Sequence, residues 1–324
     1  MVDATELALQ AGPPEDAEKW VRQACGPALA CGYAATVARW LSSLPADQLH
    51  RQPDLLLALA RASGVSGDLL TAKAAVREVR RLTDSVEASP GVRVGLQLLD
   101  VGVGLWEGSL SASVSSLRDL LALVPERIDD PVLDLLGLTR SSVLSTLAAG
   151  LLMEGRLDEA VEVADQAVGL DELSPLTRHV VLCLGVRPLA LAWAGREQDA
   201  AAQVEAAMPL VTAWRAEAIE AMFFWVSAAW VGPPAEAVQS LARAQRLTSR
   251  TAIPLLKALP AVTELRVRQR LGQYDRLPEA TRRAEEAVAL VAEPGFLEQV
   301  LRDDDVDAMV VIYTPVGMFD TDEV

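Results

Sequence analysis

The chain has 324 residues, 51% of them hydrophobic, and its 29 Lys and Arg against 45 Asp and Glu give a formal net charge of −16. That apolar content excludes disorder for most of the length, and three cysteines exclude a disulfide framework at this size. No apolar stretch is long enough for a bilayer span, and no basic segment leads into an apolar signal core, so a cytoplasmic chain is expected. The acidic balance, with Lys19, Lys73 and Lys257 as the only lysines, argues against direct binding to nucleic acid.

Aromatic residues make up only 4%, while Ala and Leu dominate, which favours helices packed on helices. Glycines at 32, 67, 108, 155, 195, 232 and 272 recur at separations of 35, 41, 47, 40, 37 and 40 residues, a mean of 40. After four of them an alanine stands five positions on, at Ala72, Ala160, Ala200 and Ala237, where a small residue lets a second helix approach a first. A fixed period of this length marks stacked hairpins, so the expected fold is an all-α, right-handed superhelix of about seven helical hairpins over residues 1–292.

In chain order, the first unit carries Ala28-Leu29-Ala30-Cys31-Gly32-Tyr33, then Arg39-Trp40-Leu41-Ser42-Ser43-Leu44-Pro45, then Arg51-Gln52-Pro53-Asp54-Leu55-Leu56-Leu57 before Gly67-Asp68. The clearest unit spans 139–170. A helix from Thr139 to Glu154 stops at Gly155, Leu157 packs across the turn, and Asp158 and Glu159 sit at the positive N-terminus of a second helix striped by Ala160, Ala164 and Ala167. Second helices are expected again over Gln198–Val211, Ala235–Leu247 and Pro278–Val291.

These motifs resemble tetratricopeptide-type repeats. Between about 16 and 292 they are similar to the helical-repeat sensor domain of MalT-like, LuxR-type transcription regulators. That resemblance implies an effector-sensing superhelix set between a signal-transduction ATPase and a helix-turn-helix. Neither flanking part is in this sequence: no Gly-x-x-x-x-Gly-Lys-Ser/Thr occurs, none of the lysines follows a glycine, and no basic recognition helix follows residue 292.

Residues 293–324 are expected to form a separate acidic tail, with nine acidic residues and one basic residue, Arg302. Val306-Asp307-Ala308-Met309-Val310-Val311-Ile312-Tyr313-Thr314-Pro315 reads as a strand-like segment over 306–314. The stretch 296–324 resembles a fragment of the NDP-forming acyl-CoA synthetases, without that family's ATP-grasp part or phosphohistidine site. The tail then reads as a truncated fusion or as a strand that pairs with a partner's sheet edge, and the alternative is a disordered or loosely docked tail.

Catalytic constellations are weak, so no enzyme activity, cofactor or metal is expected. His50 and His179 read as surface or cap residues, Cys25, Cys31 and Cys183 as small buried hydrophobes, and Arg266, Arg268 and Arg270 as a solvated basic patch. Four of the seven tryptophans fall between 193 and 230. Trp193, Trp214, Phe223, Trp225 and Trp230, with Arg178, Arg187 and Arg215 as rim charges, are therefore the candidate ligand or peptide groove. Core packing is the simpler reading, because Phe223, Phe224 and Trp225 are consecutive and cannot share one side of a helix. The function expected is a non-catalytic effector-sensing or protein-interaction module of a MalT-like regulator, the alternative a free-standing scaffold that binds a protein or peptide in its concave groove. Its partner would be a protein, a peptide or a small-molecule effector, self-association is allowed, and no membrane is involved.

Overall fold

The computed structural model describes residues 2–11, 16–84, 88–107, 109–124, 130–170, 177–214, 218–249, 251, 253–291 and 300. Among the described residues the chain is all α, with no strand. The expected strand at 306–314, and all of the tail except Val300, lie outside them.

Short helices α1 (Val2–Ala11), α4 (Ala46–Leu49) and α9 (Pro131–Leu135) flank seven pairs. These are α2 (Ala17–Ala30) with α3 (Ala34–Ser42), α5 (Pro53–Val65) with α6 (Leu69–Thr83), and α7 (Pro90–Glu107) with α8 (Leu110–Leu123). Next come α10 (Arg140–Met153) with α11 (Leu157–Leu170) and α12 (Arg178–Trp193) with α13 (Glu197–Ala213). The last two are α14 (Ala221–Val231) with α15 (Pro234–Thr248) and α16 (Pro254–Arg270) with α17 (Leu277–Val288). Members of each pair pack on one another and on the neighbouring pair. The result is a superhelix of stacked hairpins.

Five of the seven turn glycines act as the period implies, and Gly108 lies outside the described residues. Gly32, Gly67, Gly155, Gly195 and Gly272 all take positive φ, the left-handed conformation that ends a helix without a side-chain clash. Gly232 differs, with φ −67° and ψ 167°, because Pro233 follows and forces the preceding residue to be extended. The alanines five residues on (Ala72, Ala160, Ala200 and Ala237) are all buried, which is what close helix approach requires. Helix α10 begins with Thr139, whose hydroxyl accepts from Ser142 N at 3.1 Å while Ser142 Oγ accepts from Thr139 N at 3.1 Å, so two orphan donors are satisfied.

One member of each of the later pairs is buried almost all round, and the other buries a single stripe. Helices α10, α12, α14 and α16 form the inner layer, while α11, α13, α15 and α17 face solvent. The superhelix also closes on itself. α16 touches α7, and a β-carbon on Gly67 would come within 2.9 Å of Thr251 Oγ1. The second and third hairpins therefore share one interior with the last. Val300, beyond the expected boundary at 292/293, is buried in the same core.

The basic residues of α16 are not a solvated patch. Arg266 pairs with Glu197 at 2.6 Å, Arg268 with the buried Glu264 at 3.0 Å, and Arg270 donates to the carbonyls of Trp230 and Gly232 at 2.7 Å each. Arg266 ties α16 to α13, Arg268 braces α16 itself, and Arg270 caps the end of α14. No helix among the described residues is long and apolar enough to cross a membrane.

Candidate functional site

A partly open cavity of about 150 Å³ lies between α5, α7, α8, α10, α12, α14 and α16. Its lining is mostly apolar, with Leu98, Leu99, Leu105, Met153, Leu182 and Phe223 among the contributors. Against this background four polar side chains converge: Arg61 from α5, Arg178 and His179 from the first turn of α12, and Glu220 just before α14. All four are at most 7% exposed.

Arg178 and Glu220 form a buried ion pair through Glu220 Oε1, joining the starts of two adjacent inner helices. The pair leaves Arg178 Nε and Glu220 Oε2 without a hydrogen bond. Among the described residues Arg61 has no counter-ion in contact, and its buried Nε has no partner. Burial first, and then Arg178, push its guanidinium well below the usual arginine range, with Glu220 and Cys25 acting in the opposite sense. Cys25 does not supply the missing charge, because burial pushes its thiol up to about 12 and it stays neutral. Arginine keeps its proton in proteins. The cavity wall therefore holds two guanidiniums against one carboxylate, an excess of one positive charge in apolar surroundings.

His179 was expected at the surface or as a cap, and the structure corrects this: it is 4% exposed. Being in the first turn of α12, it faces the cavity rather than solvent. Burial, then Arg178 and Arg61, hold its pKa well below the ordinary value, so the ring is neutral. Ser145 Oγ spends its one proton on the Ser142 carbonyl at 3.0 Å. The His179 Nδ1 contact to the same oxygen at 3.4 Å is thus one in which the ring donates, which leaves Nε2 as an acceptor without a partner.

A second cavity, of about 730 Å³, adjoins the first, since Val65 and Ile219 line both. It lies between the Gly32 and Gly67 turns on one side and α13, α14 and α15 on the other. Trp214, Trp225, Arg243 and Arg246 line it, and the Arg243 guanidinium sits 4.4 Å above the Trp225 ring in a cation–π contact.

The candidate groove residues thus fall into four places. Arg178 and Phe223 line the smaller cavity, and Trp214 and Trp225 the larger. Trp193 and Trp230 stack edge to face on each other at 5.9 Å in the core. Arg187 pairs with Asp165 at 2.8 Å on the surface, and Arg215 lies outside the described residues. Arg61 and Glu220 escaped the sequence reading. Their signal was a lone charge in or beside an apolar helix, Arg61 within Leu55–Val65 and Glu220 before Ala221–Val231. His50 is exposed at the end of α4; Cys25 and Cys183 are buried and Cys31 half-buried. No cluster of metal-ligating residues occurs among the described residues.

No protein-family model matches the chain, and comparison with curated proteins gives no match. Among solved structures, the crystal structure of a Rap protein complexed with competence and sporulation factor is similar, with a TM-score of 0.61 over 92% of this chain and 86% of that one. What they share is the fold. At 10% identity the likeness extends to the all-α superhelical architecture and not to individual residues.

Proposed function

We propose that the chain is a non-catalytic, ligand-responsive interaction module whose ligand site is the interior of the superhelix. It is the effector-sensing region that the MalT-like resemblance implies. The observation that carries this reading is the closure: Arg61 from the second hairpin and Arg178, His179 and Glu220 from the later ones look into one cavity. An occupant bridges early and late hairpins at once. Repeat arrays are stabilised through neighbouring interfaces, so a bridge of this kind alters the pitch and stability of the whole array. That change is what a flanking or partner protein reads.

Thermal unfolding across a library of small metabolites tests the proposal. A ligand that binds only the folded chain raises the midpoint, by an amount set by concentration over Kd. A stabilising small molecule whose effect is lost in Phe223→Trp, which crowds the smaller cavity, is the expected result. No shift with any small molecule, together with capture of a defined peptide, favours the second reading: a free-standing scaffold that binds a peptide. Two observations support that alternative. One is the 730 Å³ cavity with its Trp and Arg walls; the other is that the similar Rap protein was crystallised in complex with competence and sporulation factor. A neighbouring reading frame for a P-loop ATPase or a helix-turn-helix supports the regulator assignment. We also propose that 301–324 is dispensable for folding, so that its deletion leaves the cooperative transition intact.

A further inference from the structure

We propose that the smaller cavity is built to take a small amphipathic monocarboxylate, its carboxylate on Arg61 and its apolar body among Leu98, Leu99, Leu105, Met153, Leu182 and Phe223. This rests on the reading above and names the class of ligand for the same interior.

Charge balance comes first. The polar wall carries Arg61, Arg178 and Glu220 with a neutral His179, and Arg178 and Glu220 balance one another in charge through their ion pair. One positive charge, on a guanidinium 95% buried, is left without a counter-ion. Burying an unpaired ion is among the costliest things a fold can do, and the low position of the Arg61 pKa records that cost. A single negative charge balances the wall. A phosphate dianion overshoots it, whereas a carboxylate matches the planar fork of the guanidinium in shape and charge.

Size and polarity set the rest of the ligand. A cavity of about 150 Å³ equals in volume the engineered hydrophobic cavity of another protein that accepts benzene. The body is therefore about six to eight heavy atoms, as in a short fatty acid or an aromatic acid. The larger cavity adjoins it at the Val65 and Ile219 border.

The test is calorimetric titration of the full chain with hexanoate and benzoate, and with their uncharged counterparts hexanamide and benzamide. The acids are expected to bind at least about tenfold more tightly than the amides, the range for a charge-assisted hydrogen bond. Arg61→Met removes the unpaired cation and keeps an apolar side chain of similar length. It is expected to fold with an unchanged or higher melting midpoint and to lose acid binding. Ala149→Leu, at a half-buried lining position, keeps Arg61 but fills the space, and is expected to lose binding of acid and amide alike. Equal affinity for acids and amides overturns the proposal, as does undiminished acid binding by Arg61→Met. An apolar tripeptide with a free carboxylate that binds more than tenfold tighter than hexanoate also overturns it, in favour of a peptide end. If no acid binds while a neutral metabolite stabilises the chain, the ligand class fails and the module reading stands. If nothing binds the interior, both fail.

Discussion

Helices α11 and α14 are close in length and sit in neighbouring parts of the same array, yet they solve different problems. In α14, ten of eleven residues are buried, three consecutive aromatics among them. In α11, Ala160, Ala164 and Ala167 are buried and the acidic residues between them face water. The outer helix needs one small-residue stripe to lie against its partner. The inner helix is enclosed on every side, because the superhelix turns back on itself and α16 meets α7. Closure, rather than the hairpin repeat itself, creates a buried interior in which charged groups become expensive and specific.

The sharpest way to test that contrast is to remove volume from each layer. Phe224 is fully buried, stacked edge to face with Trp225 at 5.2 Å, and lies where Gly185 of α12 comes so close that a β-carbon would meet Phe224 N at 2.2 Å. Phe224→Ala leaves a void that this tight contact cannot close, so a loss of about 3–5 kcal/mol is expected in urea unfolding. On α6, which like the outer helices buries one stripe, Leu70 is 84% exposed, and Leu70→Ala is expected to change stability by about 0.5 kcal/mol or less. Comparable losses at both positions would mean that the interior is not enclosed.

Next in size is the buried ion pair. Glu220→Ala strips Arg178 of its partner and leaves two buried guanidiniums facing each other, an expected loss of about 3–5 kcal/mol. An exposed pair gives the outer-layer reference. Arg118 and Glu159 are 2.7 Å apart with side chains 43% and 46% exposed, and a double-mutant cycle there should return a coupling of about 1 kcal/mol at most. Adding Arg61→Met to Glu220→Ala should recover part of the loss, since one of the two repelling cations is gone. No recovery would separate Arg61 from the cluster.

Stability against pH gives the third effect. His179 faces Arg178 on its own helix, Arg61 from α5, Glu220 from the start of α14 and Ser145 from α10, and its pKa is lowered by burial first and by the two arginines second. Above the unfolded value near 6.5 the ring is neutral in both states and contributes no slope. Below it the unfolded chain takes up a proton that the native chain refuses. Stability therefore falls by about 1.4 kcal/mol per pH unit until the lowered native value is reached. His179→Gln should flatten this part of the curve. Two carboxylates with lowered values, Glu18 held by Arg22 and Asp68 by the Thr71 contact, act in a separate window. Their contribution is present above about pH 4.5 and 3.8 and is lost in stronger acid.

Much of this architecture is legible in the sequence, and the two layers explain which part. Outer helices announce themselves by a 3.6-residue stripe, a turn glycine and an alanine five residues later, so their ends are read to within a residue or three: Gln198–Val211 against Glu197–Ala213, and Ala235–Leu247 against Pro234–Thr248. Inner helices have no polar face to give a period, and Phe223-Phe224-Trp225 points in every direction at once. The array is read from local spacing, whereas closure depends on Gly67 meeting Thr251 and α7 meeting α16, which no local pattern encodes. The site inherits that blindness. The tryptophan cluster drew attention through its composition, but the charges that converge come from α5, α12 and the start of α14. The burial of His179 is hidden because Arg61 lies more than a hundred residues away in the chain and Ser145 and Glu220 come from other hairpins.

The smallest expected effect is also the cleanest comparison of the layers, because the same substitution is made in both. Gly169 is the second-last residue of α11, exposed, with nothing within 4 Å of a β-carbon placed on it and no positive φ. Alanine there costs the native state nothing and narrows the unfolded ensemble, so Gly169→Ala should gain about 0.5 kcal/mol, somewhat less than a mid-helix site because the last turn frays. Gly185→Ala makes the identical chemical change on α12, where the new methyl meets the backbone of Phe223 and Phe224 and forces α12 and α14 apart. It gains the same unfolded-state entropy and loses more in overpacking, so its net sign is destabilising. Opposite signs from one substitution are the signature of an open outer layer over a closed inner one, and equal signs would show that α12 and α14 can slide apart without cost.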